Sequence, residues 1–180
     1  MKKEQGFTLI EMMIVVVLLA VTVGMTSDIL ISLVRSNTKT QVLNEIEQQA
    51  NFVSLKLEKE LRDAVDAQCP DGQTLRFTRR GNADPVTYHL ENGTGVPAYL
   101  ERLVGEEVGS NVYVKVTSNE SPGGVSVSCL EGSPCFEIVS NDPQVVRINL
   151  KFEQAQGEGV GSTYSGSAKI ESSIVIRSTY

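Results

Sequence analysis

Between Phe7 and Ser27 the chain reads FTLIEMMIVVVLLAVTVGMTS, 21 residues with a single charge, Glu11. As a helix this segment spans roughly 30 Å, the thickness of a bilayer core. It is apolar nearly all round, so it has to be buried in lipid or in a bundle of similar helices. Lys2 and Lys3 precede it. The positive-inside tendency keeps that short end cytoplasmic and sends the remainder of the chain across the membrane.

Two ordinary readings of the segment compete. A cleaved secretory signal peptide needs a shorter apolar core and a small-residue A-x-A-like site. No such site follows Ala20, and the run is longer than usual. A plain single-pass anchor fits the length but not Glu11. An acidic residue inside a spanning helix costs about 2–3 kcal/mol unless it lies near the interface or is paired.

A third reading explains Glu11. The string GFTLIE, Gly6 to Glu11, resembles the prepilin signature of type IV pilins and type II secretion pseudopilins. The features are a short basic leader ending in Gly6, an apolar Phe7, Thr8, a glutamate fifth after the cut and an uninterrupted apolar run. The resemblance implies cleavage of the Gly6–Phe7 bond by a prepilin peptidase on the cytoplasmic side, then N-methylation of Phe7. Removing residues 1–6 takes away two Lys and one Glu. That leaves 14 basic and 21 acidic residues, so the formal charge moves from −6 to −7.

A freed amine on Phe7 and a carboxylate on Glu11 are each costly in hydrocarbon when unpaired. In a filament, Glu11 of an incoming subunit would meet the Phe7 amine of a neighbour, which relieves both penalties and sets the axial register. The bland alternative is a glutamate that snorkels to the headgroups.

The apolar run continues without proline. From Val42 a stripe recurs at Ile46, Ala50, Val53, Leu57, Leu61 and Ala64, in steps of three and four. Glu45, Glu47, Gln48, Lys56, Glu58, Lys59, Glu60 and Arg62 fall between and suit a solvated face. Cys69-Pro70-Asp71-Gly72 is a stop followed by a turn. The pattern predicts one helix from Phe7 to about Ala67, on the order of 90 Å long. The pilin family has this arrangement, a protruding N-terminal half-helix and a second half packed on a β-sheet. Pilins of the main type carry a proline where this chain has Gly24 to Asp28, and its absence leans toward a pseudopilin or minor subunit.

After Gly72 the period changes to two. Residues 73–79, 85–91, 111–118, 124–130, 134–140, 144–153 and 169–177 are predicted strands, bounded by Gly, Pro, Asn and Asp clusters. Turns are expected at Arg80-Gly81-Asn82, Ser121-Pro122-Gly123-Gly124 and Asn141-Asp142-Pro143, and a Gly-rich loop at 156–166. The fold class expected is α+β: a long N-terminal transmembrane and amphipathic helix whose C-terminal half packs on an antiparallel sheet. The organisation expected is a leader at 1–6, a membrane and assembly helix at 7–27, an amphipathic half-helix at 28–68 and a β-domain at 69–180. QQANFVSLKLEKELRDA, VTYHLENG…AYLERLVG and SSIVIRSTY also loosely resemble the helix end, the following strand–turn–strand and the final strand of J-type minor pseudopilins and W-type minor pilins. The K-type tip subunit usually lacks the fifth-position glutamate, so Glu11 argues against that type.

Catalytic and cofactor motifs are not found. The single histidine, His89, sits in an alternating strand and is read as an exposed or packing residue. The glycines form no phosphate-binding loop. The turn at Asn141 and Asp142 lacks the alternating ligands of a calcium loop, so no metal or cofactor is expected. An acidic surface argues against nucleic acid as a partner. Cys129 and Cys135 bracket the turn-prone LEGSP, and outside the cytoplasm they form a candidate disulfide. Cys69 is then left over, either as a free buried thiol or as the partner of one of the two.

The function expected is that of a non-enzymatic filament subunit, a minor pilin or minor pseudopilin. It would insert in the bacterial inner membrane with the β-domain outside the cytoplasm, then enter a pilus or pseudopilus. Its partners would be other pilins through their N-terminal helices, the prepilin peptidase, an inner-membrane assembly platform and membrane lipid. The rival is a membrane-anchored or filament-tip module for binding or adhesion.

Overall fold

A computed structural model describes residues 7–92, 96–105, 113–120, 124–155 and 166–176. The leader 1–6, residues 111–112 of an expected strand, residues 121–123 of an expected turn and residues 156–165 of the expected Gly-rich loop lie outside the described residues. The chain divides into two compact units, one ending at Thr40 and the other beginning at Gln41.

Helix α1 runs Leu9–Arg62. Thr8 opens it: its carbonyl accepts the amides of Glu11 at 3.1 Å and Met12 at 3.3 Å. This makes Thr8 the N-cap and places Glu11 third in the helix, the Thr-x-x-Glu spacing of a capping box. In the first unit every described residue is exposed. Several hydroxyls there bond to their own helix. Thr22 donates to the Leu19 carbonyl, Thr26 to that of Thr22 and Ser27 to that of Val23, each at 2.9 Å. Such back-bonding lets a polar side chain sit in an apolar helix without an unsatisfied donor. The helix passes through Gly24–Asp28 unbroken.

In the second unit the stripe does what its period requires. Ile46, Ala50, Val53, Leu57 and Leu61 are buried, and Val42 is half-buried at the start. The helix ends at Arg62, five residues before the expected Ala67. Ala64–Gln68 is instead strand β1, with a register irregularity between Ala64 and Asp66. The bulge turns Ala64 and Ala67 both toward the core, so residues three apart share a face and imitate helical spacing.

Two antiparallel sheets form the rest. The first orders β1, β2 (Thr74–Arg79), β3 (Pro85–Glu91), β4 (Tyr99–Val104) and β5 (Val114–Lys115) side by side. The second comprises β6 (Val125–Cys129), β7 (Phe136–Asn141), β8 (Gln144–Gln154) and β9 (Ser167–Val175). Strand β8 is its axis. On one edge it pairs with β7 along Gln144–Ile148 and with β6 along Leu150–Gln154; β9 takes the other edge. A single sheet was the expectation; two form because β1–β5 and β6–β9 pair only among themselves.

Backbone and side-chain bonds stitch the sheets together. The Gln144 side-chain amide accepts the Ala67 amide at 3.0 Å and donates to the Ala67 carbonyl at 2.7 Å, so it imitates a neighbouring strand along β1. The Phe136 amide donates to the Gly72 carbonyl at 3.0 Å, and that of Val127 to Ala98 at 2.8 Å. Gly72 has φ +74°, and a Cβ there would lie 2.9 Å from the Pro134 side chain, so both conformation and space call for glycine. At Gly166 a Cβ would meet Leu43 at 2.5 Å, which brings the start of β9 against the helix. The core joins the stripe to Leu75, Phe77, Val86 and Tyr88 of the first sheet and Phe136, Ile148, Leu150 and Phe152 of the second.

Candidate assembly surface on the N-terminal helix

The described part of the first unit is an apolar surface with no cover among the described residues. Phe7 is 80% exposed, and Leu9, Ile10, Met12, Met13, Ile14 and their successors to Val34 are exposed as well. By length and composition α1 is able to cross a membrane. Glu11 lies in the first turn, where four helical amides are without intrahelical acceptors and the helix dipole favours negative charge. Among the described residues its carboxylate meets no hydrogen-bond or ion-pair partner, and Gly6 lies outside them. The segment thus presents hydrocarbon on all sides and one carboxylate near its start.

The second unit holds a charged cluster that the helical pattern did not reveal. Glu60, placed by its spacing on the solvated face, turns to the first sheet. Its carboxylate accepts Arg102 at 3.0 and 3.2 Å and the Tyr88 hydroxyl at 3.0 Å. The Arg102 guanidinium lies 6.0 Å from the Tyr88 ring centre. Burial, together with the charge of Glu60 and the hydrogen bond to it, raises the Tyr88 hydroxyl above its usual range, against an opposing pull from Arg102. This cluster ties α1 to β3 and β4. Its partners lie 28 and 42 residues from Glu60, so no local spacing signals it.

His89 belongs to a second polar chain. The Thr74 hydroxyl donates to Asp71 at 3.0 Å, and its oxygen stands 2.9 Å from His89 Nδ1. Nε2 stands 3.5 Å from Glu91. Slight burial of Asp71 works against its ionisation, but bonds from the Gln73 amide and from the Thr74 hydroxyl and amide hold it below the usual carboxylate range. Thr74, His89 and Glu91 border an open groove of about 520 Å³ on the first sheet, with Arg76, Glu101 and Tyr113.

The Sγ atoms of Cys129 and Cys135 are bonded to each other, which closes the turn between β6 and β7. Cys69 is a free, half-buried thiol. Burial, and then the carboxylates of Asp71 and Glu137, push it up to about 11, so it stays protonated at neutral pH. Among the described residues no group of three or more His, Cys, Asp or Glu is arranged to hold a metal.

One long N-terminal helix with its later turns packed on antiparallel sheets defines an α+β fold of the pilin-like class. Residues 1–27 match the family described as the prokaryotic N-terminal methylation motif. The match covers Gly6, Phe7 and Glu11, the residues on which the resemblance to prepilins rests. None of the curated proteins and none of the solved structures matches the chain.

Proposed function

We propose that this chain is a non-enzymatic structural subunit, a minor pilin or minor pseudopilin, of a type IV pilus or a type II secretion-type filament. Prepilin peptidase cuts Gly6–Phe7, Phe7 is N-methylated, and the apolar helix holds the subunit in the inner membrane with its β-domain outside the cytoplasm. Assembly exchanges lipid for the helices of neighbouring pilins. That exchange costs little hydrophobic free energy, because one apolar environment replaces another. An inner-membrane platform supplies the work of extraction. Glu11 pairs with a neighbour's Phe7 amine and sets the register.

The observation that carries this reading is an exposed apolar helix whose only early charge is Glu11, on a segment that matches a methylation motif. Intact mass and N-terminal sequencing of the mature protein test it. A chain beginning at methylated Phe7 is the expected outcome; a start near residue 25, or a retained Met1, overturns it. A second reading, a filament-tip module for binding or adhesion, is favoured by the His89 groove on the outer face of the first sheet. Under that reading, blocking the groove abolishes attachment and leaves filaments intact.

A further inference from the structure

Strand β8 alternates as a strand with one face in the core should. Val146, Ile148, Leu150 and Phe152 turn inward, and Arg147 and Lys151 turn out. Asn149 departs from that pattern: it stands on the outward face and is only 6% exposed. The turn between β6 and β7, closed by the Cys129–Cys135 disulfide, covers it. Three bonds tie Asn149 to that turn. Its backbone carbonyl accepts the Leu130 amide at 3.3 Å, its backbone amide donates to the Cys135 carbonyl at 2.8 Å, and its side-chain Nδ2 donates to the Pro134 carbonyl at 3.1 Å. A carbonyl only accepts, so the Pro134 bond fixes which way the amide points. Oδ1 is left without a donor among the described residues. A buried polar side chain with an open acceptor calls for a partner.

Asn149 lines an open groove of about 770 Å³ between the disulfide-closed turn and β9. Glu171 of β9 stands directly opposite it, so the carboxylate and Oδ1 are neighbouring acceptors on Cβ atoms about 5 Å apart. Two residues along the sheet, roughly 7 Å away, Lys169 stands opposite Lys151. Lys151 is held by Glu153 at 2.9 Å and Arg147 by Glu137 at 3.4 Å. Lys169 and Glu171 form no ion pair among the described residues, and the hydroxyls of Ser133 and Ser167, on the two walls, form no hydrogen bond there.

Charges of both signs alternate in this groove. An anion that reaches Lys169 meets Glu131 and Glu171, and a cation that reaches Glu171 meets Lys151, Lys169 and Arg147. A hydroxyl suits both kinds of group, since it donates to a carboxylate or amide oxygen and accepts from an ammonium. We propose that the groove binds a neutral polyhydroxylated ligand, a saccharide. Asn149 Oδ1 and the Glu171 carboxylate accept from its hydroxyls, and Lys169 donates to another. The disulfide holds the turn so that Oδ1 is aimed before the ligand arrives, which lowers the ordering cost of binding. The proposal goes beyond the filament reading and needs only the second unit, so either can fail without the other.

NMR titration of the isotope-labelled full-length chain in lipid nanodiscs tests it, with maltose, lactose, cellobiose and chitobiose as probes. At least one should bind saturably and shift the side-chain amide resonances of Asn149. Saturable binding by none of the four, or binding that leaves the Asn149 amide unmoved, overturns the proposal. So does tighter binding of inorganic phosphate, ethanolamine or phosphoethanolamine at the same place, because the groove would then be a site for charge. Two variants of one exposed residue separate acceptor from charge. Glu171→Ala should weaken the saccharide about tenfold or more, the loss of a hydrogen bond to a charged group. Glu171→Gln keeps an acceptor in place and should stay within about threefold of the wild type. Unchanged affinity in Glu171→Ala, or an equal loss in both variants, counts against the assignment. Glu171 is exposed, so both variants keep the fold.

Discussion

Residues 9–34 of α1 are apolar on every side and bury none of that surface, whereas residues 46–61 carry one apolar stripe and bury all of it. Both stretches have the same backbone geometry, so propensity does not separate them. The period of the apolar residues does. A stripe on one side calls for a partner on one side, and the sheets of the same chain supply it. Apolar residues all round call for surroundings on every side, which this chain does not contain among its described residues. The first stretch therefore acts through what lies outside the molecule, and the second through what lies inside.

The comparison is broken most severely by charging the stripe. Leu57 has 0% exposure at the centre of the contact. Leu57→Asp buries a carboxylate with no partner and should cost at least about 4 kcal/mol, a large share of the stability of a domain this size. Proteolysis and thermal melting of the chain truncated before Asp28 should report an unfolded domain. Retention of the wild-type Tm would show that α1 does not belong to the core.

A smaller effect separates the ion pairs made by two glutamates of the same helical turn. Glu60 and Arg102 have side chains only 15% and 20% exposed, and Tyr88 shares the carboxylate. Arg102→Ala should cost about 2 kcal/mol, since it strips a half-buried carboxylate of its charged donor. Glu58 and Arg62 form an i, i+4 pair that is 39% and 70% exposed. Glu58→Ala should cost about 0.5 kcal/mol or less, because solvent and salt screen an exposed pair. Denaturant melts of the two variants give the ordering; equal losses would mean that the Glu60 cluster is no anchor between helix and sheet.

These contrasts also show where the sequence could be read and where it could not. The stripe from Ile46 to Leu61 and the strands β2, β3, β7 and β8 follow from periods carried by adjacent residues. Strand β1 was missed because its bulge gives Ala64 and Ala67 a helical spacing. Period alone also missed β4, where Leu100 and Leu103 are both buried an odd number of residues apart. Leu103 lines the groove beside His89 on the other face of the sheet, and only the resemblance to minor pseudopilins pointed to a strand there. Glu60 looked solvated because its partners belong to strands far along the chain. The division into two sheets is a property of long-range pairing and left no local mark.

The smallest expected effect on the fold sharpens the comparison most. Glu11 lies in the first unit, and Leu57, Glu60 and the sheets in the second. Glu11→Ala removes a charge that is costly to place in hydrocarbon, so membrane insertion should be at least as good as in the wild type. Groups in separate units with no shared partner contribute independently, so the Tm of the second unit should not move. Cleavage should continue, because Gly6 and Phe7 are unchanged. The loss should fall on incorporation beside other subunits, where an unpaired Phe7 amine would be left in an apolar bundle. Fractionating sheared filaments from membranes measures that directly. A Glu11→Ala chain that is cleaved, stable and incorporated at the wild-type level would leave Glu11 as a residue reaching for the headgroups, and the register would have to come from the helix packing alone.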